Sequence, residues 1–176
     1  MDRKRRARPR DRVPGIAKFP ELAGLEIGGF MVDGDSALAA MREDTSLQLV
    51  RADAVLGLRH LASSLMHARR AVADGRCRGR ELRTDFLLYL TGERQIADAL
   101  RLAGPTGRKV DVIAVRFGTG RMLHRIARAK GWKRKDSLLR SWPGRFKLTL
   151  TGEEVDAALD LSLLPLERTA LLDVQK

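Results

Sequence analysis

The feature that most narrows the fold of this chain is the alternation of short apolar runs with segments whose apolar residues recur every three or four positions. Leu25, Ile27 and Met31 alternate with Glu26, Gly28 and Phe30 and close on Asp33-Gly34, which reads as a strand and a turn. Ser36 to Glu43, rich in Ala, Leu and Met, predicts a short helix capped by Asp35 or Ser36. Leu47 to Arg51 predicts a second strand. From Leu58 to Asp74 the residues Leu58, Leu61, Ala62, Leu65, Met66, Val72 and Ala73 fall at helical spacing, and Gly75 stops them.

Phe86 to Leu90 is a continuous apolar run ended by Thr91-Gly92 and reads as a strand buried on both faces. A helix from Glu93 to Ala103 follows, with Ile96, Ala99, Leu100 and Ala103 on one stripe, and Val110 to Phe117 predicts another buried strand. Met122, Leu123, Ile126 and Ala127 give an amphipathic helix ending near Gly131. Thr151-Gly152-Glu153-Glu154 is a capping-box pattern opening a further helix, and Pro165 opens a last one through Leu171-Leu172. With no internal repeat, this order predicts one α/β domain over residues 13–176. Taken alone, strict alternation suggests a parallel, doubly wound sheet.

Charge then narrows the partners. The 176 residues carry a net charge of +12 and a single cysteine, Cys77, which points to a reducing, cytoplasmic setting. No apolar run is long enough to span a bilayer, and the basic N-terminus is not followed by the apolar region of a signal peptide. Residues 1–12 hold seven Lys/Arg against two Asp and read as a disordered basic arm. Further basic clusters run from Arg69 to Arg83 and from Arg121 to Lys135, so a polyanion is the first partner to consider. Phe, Trp and Tyr total eight, too few for a multi-base stacking platform.

Catalytic signals are sparse. The Gly28-Gly29 pair and Gly118-Thr119-Gly120 match no phosphate-binding loop and read as turns. His60, His67 and His124 have no carboxylate or cysteine at metal-ligand or catalytic spacing, although His60 and His67 could line one helix face of a small enzyme. Cys77 lies between arginines, which would lower its pKa, but has no general base in view. Opposite the apolar stripe of helix 58–74, Arg59, His60, Ser63, Ser64, His67 and Arg70 read as a cationic outer face suited to phosphate or ribose. A DNA-binding alternative places a helix-turn-helix on 121–131 and the basic segment 133–140.

At residues 87–104, LLYLTGERQIADALRLAG, the chain resembles the small regulatory subunit of the KEOPS complex, the family of the human PRPK-binding protein. VRADAVLGLRHLASSLMHARRA upstream, with TGEEVDAAL and LERTALLDVQK downstream, extends the resemblance over about residues 47–176. The chain departs from the family in having Ala52-Asp53 where the family usually has Asn, in a basic loop at 131–147, and in the arm. The resemblance implies a mixed, largely antiparallel sheet flanked by helices with a helical C-terminus. It implies a non-catalytic protein without cofactor or metal, a monomer within a larger complex. Such a subunit binds and stimulates the small kinase-like ATPase of KEOPS and helps bring tRNA, by its acceptor 3′ end, for threonylcarbamoylation of the adenosine beside the anticodon. On that basis Arg59, His60, Arg94, Gln95 and Lys109 are the expected tRNA contacts, with Arg94 and Gln95 at a helix N-terminus. Leu61, Leu65, Val72, Leu171 and Leu172 are the expected kinase contacts.

Overall fold

Residues 15–140 are described by the computed structural model. The arm, the helices expected from Thr151 and Pro165, and with them Leu171 and Leu172, lie outside the described residues. Four strands, β1 (Leu25–Val32), β2 (Leu47–Arg51), β3 (Val110–Phe117) and the two-residue β4 (Lys133–Arg134), form one sheet in the order β2-β3-β1-β4. Every pairing is antiparallel. This agrees with the sheet implied by the resemblance and corrects the parallel order suggested by alternation alone.

The correction has a local cause. Phe86 to Leu90 is no strand but the middle of a helix, α3 (Leu82–Thr91), closed by Gly92 in the left-handed region with φ 71°. A helix buried on all sides has no polar face to reveal its period, so a short run of leucines cannot be told from a buried strand by pattern. Leucine, a strong helix former, and the lack of β-branched residues in Phe86–Leu90 decide it.

Alternation along β3 builds two cores. Ile113 and Val115 face α2 (Leu58–Ala73) and α3, while Val112 and Ala114 face α1 (Gly34–Glu43) and α5 (Met122–Ala129). Phe86 meets Phe117 edge-on at 5.7 Å on the first side, and Phe30 meets Trp132 at 5.8 Å on the second. Asp33, rather than Asp35 or Ser36, caps α1 by accepting from the Ser36 N–H at 3.1 Å. α4 (Ile96–Ala103) starts later than expected and lies on its alanines: Ala99 and Ala103 are buried, whereas Ile96 and Leu100 are exposed.

The glycine pair in β1 serves close packing. A Cβ at Gly29 would run into the Lys135 carbonyl, because the chain after β4 crosses directly over the strand there. Gly29→Ala is expected to lift this crossing and lower stability by about 2 kcal/mol, read by urea unfolding. Unchanged stability would mean that the crossing yields without cost.

Candidate functional site

The expected tRNA contacts gather at one end of the sheet. β2 ends at Arg51 beside the start of β3, where Arg51 is in register with Val112. The 3-10 turn Ala52–Ala54 that follows touches both β3 and α4 and leads into α2. α3 brings its C-terminus to the same place, since the His60 ring near the start of α2 lies against the Leu90 backbone. Arg59, Arg94, Gln95 and Lys109 are all exposed there, and Arg59 and Lys109 form no ion pair among the described residues.

Two helix N-termini open at this end without a side-chain cap. α2 begins after Gly57, whose φ of 143° suits glycine, and has no acidic residue in its first turn. α4 begins after Gln95, whose side chain makes no capping bond to its own helix. Uncapped N–H groups and the helix dipole both favour an anion. Two local carboxylates face cations: Asp53 is held in a two-bond pair with Arg51 at 2.7 and 3.1 Å, and Asp98, in the first turn of α4, pairs with Arg101 at 3.1 Å.

His60 departs from the outward placement expected of it. It is 1% exposed, and its Nδ1 accepts the Leu56 N–H at 3.3 Å. The ring thus ties the loop before α2 to α3, much as a capping-box side chain reaches back over a helix start. Burial lowers its pKa from 6.5 to about 4, against a smaller opposing effect of the Leu90 backbone. Ser64 is buried as well, its hydroxyl donating to the His60 carbonyl at 2.8 Å. α2 is wedged between the sheet and α3, so its buried arc is wider than its leucine stripe.

The same wedging corrects two expected kinase contacts. Leu61 and Leu65 are fully buried in the core and have no side-chain surface to offer, whereas Val72, in the last turn, is 43% exposed. Met66, Ile96, Leu100 and Met122 are exposed apolar residues that sequence patterning assigned to core stripes. Solvent position on such short helices depends on which neighbour stops first, and no residue type signals that.

Other expectations resolve simply. Cys77 is exposed, and its thiol pKa is raised, chiefly by a hydrogen bond to Asp85, rather than lowered by the arginines. Asp85 also accepts the N–H groups of Arg78 and Gly79 at 3.0 and 2.6 Å, anchoring the loop between α2 and α3. After α5 the chain forms β4 and the 3-10 turn Asp136–Leu139, so the helix-turn-helix does not form. Among the described residues no His/Cys/Asp/Glu cluster could hold a metal, and no helix is long and apolar enough to cross a membrane.

A family model described as kinase binding protein CGI-121 matches residues 33–139. The chain belongs to the CGI-121 family. This is the KEOPS regulatory-subunit family of the resemblance, and the match reaches further upstream, to the cap of α1, than the stretches that carried it. It spans the whole end formed by Arg59, Arg94, Gln95 and Lys109, and it ends at Leu139, before TGEEVDAAL and LERTALLDVQK. A search of curated proteins returns no match.

Proposed function

We propose that this CGI-121 family member is a non-catalytic, cytoplasmic subunit that binds and stimulates a kinase-like ATPase and delivers tRNA to it by the acceptor 3′ end. Family membership supports the kinase half of this reading. The RNA half rests on one observation above all: exposed Arg59, Arg94 and Lys109 share an end of the sheet with two uncapped helix N-termini. Phosphates suit the arginines and the N–H groups, and the scarcity of exposed aromatics suits a few unpaired end bases rather than a long stacked strand. Threonylcarbamoyl transfer then belongs to the other subunits. Val72, together with Leu171 and Leu172, is the proposed surface for the ATPase.

Arg59→Glu and Arg94→Glu are each expected to weaken tRNA binding on the order of tenfold, about 1.4 kcal/mol, in a mobility-shift titration. Each should leave capture of the ATPase subunit in a pull-down unchanged. A variant that binds tRNA like the parent removes that arginine from the site, and loss of ATPase capture would move the kinase surface to this end.

A further inference from the structure

The two edges of the sheet are finished differently. On β2 the outward backbone groups belong to Leu47, Leu49 and, at its end, Arg51, and those of Leu47 and Leu49 each have a partner. The Leu47 N–H donates to the Asp44 carbonyl at 3.0 Å, and the Leu47 carbonyl accepts from Arg83 Nη1 at 3.2 Å. The Leu49 N–H donates to Met41 Sδ at 3.2 Å, and its carbonyl accepts from Gln48 Nε2 at 3.1 Å. Over Leu47 to Leu49 this edge has nothing left for a passing strand.

The opposite edge is covered only in part. β4 pairs with β1 at Phe30 and Met31 alone. The neighbouring Gly29 accepts the Lys135 N–H at 2.7 Å and donates to Asp136 Oδ1 at 3.3 Å. Outward groups recur at every second residue of an antiparallel strand, so Ile27 presents its N–H and C=O on the same side. No described residue hydrogen-bonds to them.

These two groups open into a cleft of about 290 Å³ between the β1 edge and the start of α5. Leu25, Phe30 and Leu123 supply its apolar wall, and Arg121, His124 and Arg134, the last of these paired with Asp136 at 2.7 Å, its basic wall. Gly28 gives the Phe30 ring room to lie in that wall, since a Cβ there would strike it. Glu26, the one carboxylate of the lining, is engaged by Arg116 at 2.9 Å and by the Leu123 N–H at 2.9 Å. Residues 118–135, which supply much of the wall, contain no Asp or Glu.

The geometry points to this cleft as a strand-addition site for an extended, acidic segment of a partner protein, which would continue the sheet beyond β1 in line with β4. A free donor and acceptor side by side call for a peptide main chain. An outward carbonyl repels phosphate, which disfavours a nucleic-acid backbone, and the basic wall disfavours the same edge of a second copy.

The test is fluorescence anisotropy on the full chain with a labelled peptide of alternating Glu and Val, about ten residues long. The Lys-for-Glu peptide and a Glu-Val peptide N-methylated at every second amide are each expected to bind on the order of tenfold more weakly. Arg121→Glu/His124→Glu should weaken the parent peptide similarly, and the parent peptide should slow hydrogen exchange at the Ile27 amide. Equal binding of the N-methylated peptide would reduce the interaction to charge attraction and overturn the proposal. So would displacement of the peptide by tRNA with the same dependence on Arg121 and His124. An Ile27 amide already protected in the free chain by its own residues 141–176 would overturn it as well.

Discussion

Between about pH 7 and pH 4 the protein is expected to lose about 3 kcal/mol of folding stability through His60. Burial holds this imidazole neutral in the folded state down to about pH 4, whereas the unfolded chain takes up the proton near 6.5. Within that window the unfolded state binds more protons, so acidification favours unfolding. Above 6.5 both states are neutral and the contribution is fully present; below about 4 both are charged and nothing further is lost. His60→Gln offers an amide oxygen able to accept from Leu56 without titrating. Urea unfolding across this range should show a dependence approaching one proton in the parent and a flattened one in the variant. Equal slopes would remove His60 from the core.

Arg116→Met is expected to lower stability by about 3 kcal/mol, at the low end for breaking a buried ion pair because the side chains keep some solvent. Arg116 joins Asp44 at 2.8 Å and Glu26 at 2.9 Å, with side-chain exposures of 17%, 20% and 11% respectively. Its loss strands two carboxylates and frees Glu26, which otherwise holds the first turn of α5 through the Leu123 N–H. Burial pushes the Asp44 carboxyl up, but hydrogen bonds from Arg116 and Ser46 outweigh it and hold it below the usual carboxylate range. The Asp44 contribution is therefore present above about pH 4 and lost as pH falls through its lowered folded value. In Arg116→Met this acid limb should shrink to what the Ser46 bonds keep against burial, and Asp44→Asn should cost less than in the parent. Additive losses in that double-mutant cycle would contradict the pairing.

Much of this fold is legible in sequence where burial is one-sided. β3 and α2 fall where Val110 to Phe117 and Leu58 to Asp74 place them, because apolar runs and periodic stripes report directly on what faces the core. α3 was illegible as a helix because every side of Phe86 to Leu90 is buried. β4 was illegible because Lys133 and Arg134, both exposed, carry no strand pattern and owe their conformation to the β1 edge. At the candidate site, composition marked Arg59, Arg94 and Lys109 as cations but could not bring them to one end. That depends on where the chain turns after β2 and α3. His60 lay on the right helix at the right spacing, and only the wedging of α2 between two layers turned it inward.

The central claim is that one end of the sheet receives the single-stranded end of tRNA. It is tested most directly by titrating the full chain, at fixed salt, with intact tRNA and with the same tRNA trimmed of its 3′ end. The account predicts that trimming weakens binding on the order of tenfold, about 1.4 kcal/mol, and that Arg59→Glu erases the difference between the two RNAs. Equal affinity of the parent protein for intact and trimmed tRNA would contradict it.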